Sequence, residues 1–160
     1  MVRAYIGIGS SIDHEKNIIK ALAVLSQKFK EVCVSPVYES EAVGFDGGNF
    51  YNLVVSIQTK LDIAPLIACL KNIEKEQGKV NSFHQFPYRN IDLDLLLYGA
   101  EIHPELNVPR DEICKNAFVL LPLSELAPEI KHPISGKSFH ILWNEYPKES
   151  QKLWRLDLTV

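Results

Sequence analysis

The chain lacks the long hydrophobic run that a membrane helix requires. No segment reaches about 18 consecutive apolar residues, although 46% of the 160 residues are apolar. Cysteine is scarce, since Cys33, Cys69 and Cys114 lie far apart and form no C-x-x-C pair. This spacing excludes a disulfide framework and a cysteine zinc site. The same cysteine pattern indicates a reduced, cytoplasmic setting. The start of the chain has no long apolar run after its basic residue, so we expect no signal peptide.

Positive charge is not in excess either. The chain has 17 Lys and Arg against 20 Asp and Glu, a net charge of −3. This balance argues against a nucleic-acid binder that acts through bulk charge. With 9 Pro and 8 Gly the chain is not of low complexity. At this length and apolar content we expect one domain, 1–160, with an ordinary core.

Hydrophobic periodicity predicts alternating strands and helices. Apolar positions recur at helical spacing over 13–29 and 63–77, and we predict a helix in each segment. Pro36 indicates that one of the strands is an edge strand or carries a bulge. Four segments of the first hundred residues are predicted strands: 2–8, 31–38, 50–58 and 89–98. The remaining predicted elements are helices at 116–126 and 138–146 and a closing strand at 154–158.

The order of the first six elements decides the predicted fold. Strand, helix, strand, strand, helix, strand is the split βαβ pattern. We therefore predict an α+β fold, a ferredoxin-like antiparallel sheet with helices on both faces. The first two helices would cover one face, and the C-terminal helices would cover the other.

The strand that contains Asp92 and Asp94 is the most informative segment of the chain. Side chains alternate along a strand, so the two acids share a face with Leu96 and Tyr98, about 7 Å apart at their Cα atoms. Their like charges repel unless a cation lies near them. Arg89 is one possible counter-charge, and Mg²⁺ held by one or two carboxylates and substrate phosphates is another. A half-exposed polar face with a surface ion pair is the competing interpretation.

Other candidate residues carry weaker signals. Gly7-Ile8-Gly9-Ser10 has neither the third glycine of a dinucleotide site nor the lysine of a P-loop, which favours a plain tight turn. Asn52 lies inside a predicted strand, where the edge of a heterocycle could satisfy its amide. Glu74 and Lys79 lie near a helix end, where residues are more often solvated than ligand-bound.

Several segments together resemble the 6-hydroxymethyl-7,8-dihydropterin pyrophosphokinase family. The resemblance runs in order from residue 4 to about 130, and the block with Arg89, Asp92 and Asp94 is its most specific part. The matching segments are Ala4-Tyr5-Ile6-Gly7-Ile8-Gly9-Ser10, Asn49-Phe50-Tyr51-Asn52, Ile73-Glu74-x-x-Gln77-Gly78, Arg89-x-x-Asp92-x-Asp94-Leu95-Leu96 and Phe118-Val119-Leu120-x-Pro122-Leu123-x-Glu125-Leu126-Ala127-Pro128.

The resemblance implies an ATP-dependent enzyme of folate synthesis. Such an enzyme transfers pyrophosphate from ATP to the hydroxymethyl group of the dihydropterin and releases AMP. It implies that Arg89, Asp92 and Asp94 are catalytic and that Asp92 and Asp94 hold two Mg²⁺ ions. The implied pterin-binding residues are Ala42, Val43, Phe50, Asn52, Phe86 and Phe118. The implied nucleotide-binding residues are Lys71, Glu74, Lys79, Arg89, Leu95, Arg110 and Lys115.

The chain departs from the family pattern mainly on the nucleotide side. On the pterin side, Phe86 stands where the family usually has Trp. On the nucleotide side, Arg110 stands where it usually has His, Asn116 where it usually has Arg, and Asn81 and Ser82 where its loop usually has basic residues. A lost hydrogen bond to a charged group costs roughly 1.5–3 kcal/mol, so the loss of cations should weaken ATP binding unless Arg110, Lys115 and Arg89 compensate. The pterin and metal residues are better kept than those of the nucleotide.

Two other functions stay open at this point. One is a divergent paralogue that binds a pterin with weak or no ATP-dependent transfer. The other is a ferredoxin-like interaction module in which Asp92 and Asp94 are only solvent-exposed surface residues. For the enzyme we expect a monomer or weak dimer that binds ATP and a dihydropterin, with no membrane or nucleic-acid partner, and whose loops 39–49 and 79–90 order on ligand binding.

Overall fold

The computed structural model describes residues 1–41, 49–78 and 91–157. Within these residues the strands form one antiparallel sheet and the helices lie outside it, so the predicted α+β fold is confirmed. The strands are β1 Val2–Ser10, β2 Lys30–Val34, β3 Val37–Ser40, β4 Phe50–Thr59, β5 Asp92–Tyr98 and β6 Leu153–Leu156. The helices are α1 His14–Lys28, α2 Ile63–Gly78, α3 Ala117–Leu126 and α4 Phe139–Glu145.

The sheet has the strand order β5-β1-β4-β3-β6, and β2 also pairs with β4. The predicted strand 31–38 is therefore two strands, which Ser35 and Pro36 separate. At this break Ser35 keeps the chain hydrogen-bonded to β4. Its N–H donates to the Val54 carbonyl at 2.9 Å, and its Oγ accepts from the Val54 N–H at 2.8 Å. Strand β1 lies between β4 and β5, and this central position makes it the floor of the site described below.

Two apolar clusters cover the two faces of the sheet. The first contains buried residues of α1 and α2, such as Ile18 and Leu70. The second contains α3 and α4 residues, such as Leu123 and Phe139. This confirms that helices cover both faces. Among residues 1–41, 49–78 and 91–157 the structure has no helix of the length and hydropathy that a bilayer crossing demands.

A β-bulge changes which way the second half of β5 faces. Tyr5 pairs with Leu97 while Ile6 pairs with Leu95, so Leu96 is the extra residue. Leu96 and Leu97 consequently both lie in the second cluster, whereas Tyr98 lies in the first. The strict alternation that placed Tyr98 on the face of the acids was wrong beyond residue 96, because one inserted residue shifts the two-residue period. The acids precede the bulge and keep the predicted face.

Candidate active site

Two glycines of β1, Gly7 and Gly9, form the floor of the site. Gly9 pairs with Asn52 on β4 and with Asp92 on β5, and Gly7 pairs with Asp94 on β5. Directly paired residues of an antiparallel sheet share a face, so the two acids and Asn52 lie on the same face on either side of a strip without side chains. The interpretation of Gly7-Ile8-Gly9-Ser10 as a turn was wrong, because these residues are all part of β1.

Space rather than backbone conformation favours glycine at these two positions. A Cβ atom at Gly9 would lie 2.9 Å from Oδ1 of Asn52, which is closer than real Cβ contacts. A Cβ atom at Gly7 would lie 3.3 Å from Cδ2 of Leu96, which is tight but can be relieved by a small movement of a flexible side chain. Gly9 therefore keeps Asn52 in place and leaves the floor open.

A cavity of about 260 Å³ lies above this floor. This is slightly below the range of about 300–1,000 Å³ for small-molecule sites. It brings together residues that are far apart in sequence, from both sides of β1 and from α3. The lining includes Gly7, Gly9, Ser40, Glu41, Phe50, Asn52, Asp92, Asp94, Leu96, Arg110, Glu112 and Phe118.

Asp94 contacts a cation through each of its oxygens. Lys71 Nζ lies 3.2 Å from Oδ1, and Arg110 Nη2 lies 3.7 Å from Oδ2. The Asp94 side chain is 27% exposed, and the two cationic side chains are 43% and 26% exposed. Ion pairs of this exposure contribute about 0–1 kcal/mol each. A divalent cation that bound Asp94 would therefore displace only weak contacts.

The chemistry of the acids suits Mg²⁺. Asp92 and Asp94 are two residues apart on one strand face, and Mg²⁺ uses one or two carboxylates together with substrate phosphates. Within residues 1–41, 49–78 and 91–157 no group of three or more His, Cys, Asp or Glu side chains forms a metal cage. The donor set fits a metal that arrives with phosphate oxygens better than one held by protein alone.

The aromatic and amide groups of the cavity lie on the side of β4 and α3. Phe50 and Asn52 are on β4, where they pair with Ser40 and Tyr38 of β3. Phe118 is the second residue of α3 and lines the same cavity. A flat, polar-edged ring in the cavity would thus meet an aromatic ring and an amide, while the two acids lie across the glycine floor.

The family model described as 7,8-dihydro-6-hydroxymethylpterin-pyrophosphokinase matches residues 5–128 of this chain. The chain belongs to this pyrophosphokinase family. The match includes every residue of the cavity, and it ends before α4 and β6.

Two relatives of similar length are named as pyrophosphokinases, and one much longer relative is named as a folic acid synthesis protein. The 2-amino-4-hydroxy-6-hydroxymethyldihydropteridine pyrophosphokinase of Aquifex aeolicus is 38% identical over 141 residues, which is 86% of this chain and 88% of that protein. The Pseudomonas aeruginosa protein of that name is 36% identical over 82% of this chain and 84% of its own length. The folic acid synthesis protein fol1 of Pneumocystis carinii is 37% identical, but this chain spans only 19% of it.

Solved structures support the fold of the family. Wild-type HPPK-DHPS of Plasmodium falciparum with pteroate superimposes with a TM-score of 0.68 over 92% of this chain. The sequences are 14% identical, and this chain spans 43% of that chain. At this identity the likeness concerns the arrangement of strands and helices alone.

Two residues of the predicted nucleotide set, Lys71 and Glu74, contact the edge of β5. Glu74 Oε1 accepts a hydrogen bond of 2.6 Å from the Leu93 N–H. Lys71 Nζ donates to Glu74 Oε1 at 3.2 Å and to the Leu93 carbonyl at 3.4 Å. These contacts satisfy backbone groups that an edge strand would otherwise leave open. Leu95 buries its side chain in the first cluster, so any contact it makes with a nucleotide would come from its backbone.

Arg110 is held by a residue that our sequence analysis missed. Glu112 Oε1 accepts from Arg110 Nε at 3.1 Å and from Nη2 at 2.8 Å. The Arg110 N–H also donates to the Leu96 carbonyl at 3.0 Å, which ties this segment to β5. Glu112 lines the cavity. Its only sequence signal was its position two residues after Arg110, in a polar segment where many acids are solvated.

Lys115 is a predicted nucleotide residue that does not line the described cavity. The side chain of Lys115 is 69% exposed and pairs with Asp111 Oδ2 at 3.2 Å. This contact and the hydrogen bond from Asn107 keep the pKa of Asp111 below its usual value, with the Asn107 bond as the larger cause. Ala42, Val43, Lys79, Phe86 and Arg89 lie outside the described residues, so their predicted roles stay predictions.

Proposed function

We propose that this protein transfers pyrophosphate from ATP to 6-hydroxymethyl-7,8-dihydropterin and releases AMP, as a step of folate biosynthesis. One observation carries the proposal. The glycine floor of β1 separates the acid pair of β5 from Asn52 on β4, and all of them face one cavity. Membership of the pyrophosphokinase family supports the same reaction.

We assign the pterin to the side of the cavity formed by β4 and α3. Phe118 offers its ring for stacking, and offset or edge contacts between aromatic rings contribute about 0.5–1.5 kcal/mol beyond area burial. Asn52 offers both a donor and an acceptor to the edge of the heterocycle. Phe50 borders the same side, and Ala42, Val43 and Phe86 complete the proposed pterin set.

We assign the metal and phosphates to the opposite side. Asp92 and Asp94 would hold two Mg²⁺ ions, whose charge offsets the negative charge that develops at the β-phosphorus. In the transfer the hydroxymethyl oxygen would bond to the β-phosphorus and lose its proton to solvent, while the bond between the β-phosphorus and the oxygen that bridges to the α-phosphate breaks and AMP leaves with that oxygen. Lys71 and Arg110 already lie beside Asp94 and could contact phosphate oxygens when the acids bind metal. Glu74, Lys79, Arg89, Leu95 and Lys115 remain the other proposed nucleotide residues.

The proposal is tested by AMP formation from Mg-ATP and 6-hydroxymethyl-7,8-dihydropterin with the purified protein. AMP release that requires both the pterin and Mg²⁺ supports it. Pterin binding with no AMP release would instead favour the divergent pterin-binding paralogue. That alternative was motivated by the loss of basic residues. No observation on the described residues favours it, and two cationic side chains, Lys71 and Arg110, lie beside Asp94.

We further propose a cytoplasmic protein of one domain, 1–160, that is a monomer or weak dimer. The three cysteines are unpaired, which suits a reducing compartment. One sheet joins elements from both ends of the described chain, because β6 pairs with β3, which supports a single domain.

A further inference from the structure

The C-terminal part of the chain lies beyond the region that the family model matches. That match ends at residue 128, yet the structure continues through α4 and β6. We call residues 146–156 the C-terminal brace, because they connect α3 to β3 and include β6, the outer strand on that side of the sheet. Our sequence analysis expected only a closing strand here.

The first turn of α3 has little support of its own. Its N-cap residue, Asn116, makes no side-chain cap hydrogen bond. Pro122 lies inside the helix and has no N–H, so the carbonyl of Phe118 lacks its usual helical donor. The turn that carries Phe118 therefore depends on contacts from other parts of the chain.

The brace supplies several of those contacts, beside the Glu112 carbonyl, which accepts from the Asn116 N–H at 3.0 Å. Gln151 Oε1 accepts a hydrogen bond of 2.7 Å from the Ala117 N–H, one of the first-turn donors that have no partner within a helix. Gln151 Nε2 donates to the Lys115 carbonyl at 3.3 Å and to Asn116 Oδ1 at 3.5 Å. The Tyr146 hydroxyl donates to the same Lys115 carbonyl at 2.7 Å. Two side chains of the brace thus hold the three residues before Phe118.

The brace is itself fixed to the sheet beside the cavity. Strand β6 pairs with β3 along four residues, and Leu153 lies opposite Ser40. Ser40 is 6% exposed and lines the cavity. At the far end of α3, Glu125 accepts a hydrogen bond from Tyr38 of β3 and lies 3.9 Å from Arg155 of β6. The brace is therefore attached to both α3 and the strand that faces it.

We propose that the C-terminal brace positions Phe118 for the pterin, with Gln151 as a positioning residue that does not touch the substrate. This inference rests on the proposed function. Movement of the first turn of α3 changes the distance between the Phe118 ring and the β4 side of the cavity. The brace thus sets affinity for the pterin and leaves the acid pair on β5 unaffected.

The first test compares Gln151→Met with Lys152→Met in the full-length protein. Gln151→Met removes both the acceptor and the donor while it keeps the size of the side chain. Lys152 is the next residue and is exposed, so its substitution is the matched control. We expect Gln151→Met to raise KM for the dihydropterin roughly fivefold, the effect of about one lost hydrogen bond. The value of kcat and all constants of Lys152→Met should stay unchanged. KM for Mg-ATP should change much less than KM for the pterin, because Gln151 contacts only the backbone of Lys115, whose exposed side chain is the part proposed for the nucleotide.

A double-mutant cycle with Phe118→Ala tests whether Gln151 acts through the ring. The dissociation constant of the dihydropterin is measured for both single variants and the double variant. We expect Phe118→Ala to weaken binding and Gln151→Met to add almost nothing in that background. Full additivity would overturn the proposal, and so would an equal loss of pterin and ATP affinity in Gln151→Met.

The outcomes separate this inference from the proposed function. If Phe118→Ala binds the pterin normally, the assignment of the pterin side is wrong. If Phe118→Ala loses affinity but Gln151→Met does not, only the positioning role is wrong. If Gln151→Met does not fold, Tyr146→Phe replaces it, because that variant loses one hydroxyl and keeps the ring that stacks on Trp143 at 5.7 Å. Unchanged pterin affinity in Tyr146→Phe would then count against the brace.

Discussion

Gly9→Ala should weaken pterin binding while the protein stays folded. The new Cβ atom would lie 2.9 Å from Asn52 Oδ1, so the amide has to move by several tenths of an ångström to reach an ordinary contact distance. The Oδ1 atom is the end of the flexible Asn52 side chain, and its movement lets the strands β1 and β4 keep their register. The substitution therefore acts on the group proposed to read the pterin.

The size of the effect follows from the hydrogen bonds that Asn52 would lose. Each hydrogen bond contributes about 0.5–1.5 kcal/mol, and a polar group left unsatisfied in a buried site costs about 1–3 kcal/mol. A displaced amide therefore costs roughly 1.5–3 kcal/mol. At about 1.4 kcal/mol for each factor of ten, we expect the dissociation constant of the pterin to rise roughly 10- to 100-fold.

Gly7→Ala is the matched control. It adds the same atom to the same strand and the same cavity floor, but the nearest atom is Cδ2 of Leu96 at 3.3 Å. Isothermal titration with 6-hydroxymethyl-7,8-dihydropterin and thermal unfolding are measured for both variants. Normal pterin affinity in a folded Gly9→Ala protein would refute the role of Asn52. Equal losses in both variants would show that narrowing of the cavity, and not movement of the amide, is responsible.

Three further predictions concern the acids, the edge of β5 and a buried histidine. Asp92→Ala and Asp94→Ala should each lower AMP formation by about 100-fold or more without loss of the folded state, and near-normal turnover in both would contradict the mechanism. Glu74→Ala should lower the free energy of unfolding in urea by about 1–3 kcal/mol, because it leaves the Leu93 N–H without its acceptor, whereas Glu74→Gln keeps an acceptor oxygen and should cost less. Burial lowers the pKa of His132, so the unfolded state binds more protons below about pH 6.5 and stability should fall as the pH falls. Two backbone N–H groups donate to its Nδ1 atom, and His132→Asn should reduce this loss of Tm between pH 7.5 and 5.5; an identical pH profile would show that His132 does not contribute.

The order and type of the secondary-structure elements could be predicted from sequence. Helices α1 and α2 lie within about a residue of the predicted segments, because their apolar stripes repeat with helical period. Helix α3 forms in spite of Pro122. The shared face of Asp92 and Asp94 also followed from strand geometry alone, since β5 is regular up to the bulge at Leu96.

The errors have a common physical cause. The Gly7-Ile8-Gly9-Ser10 segment was interpreted as a turn because it lacks the third glycine of a dinucleotide site and the lysine of a P-loop. It is instead part of β1, where Asn52 of the neighbouring strand lies close to Gly9. Tyr98 was placed on the wrong face because the bulge depends on the pairing of β5 with β1. Neither fact is visible without the partner strand.

The sequence by itself determined the fold class, the family and the identity of the acid pair, because local periodicity and motif spacing are properties of one segment at a time. Only the tertiary structure decided which distant groups meet: Asn52 across Gly9 from Asp92, Lys71 and Arg110 on either side of Asp94, and Gln151 on the first turn of α3. These contacts depend on strand register and helix packing, which involve residues far apart in the chain and leave no local pattern.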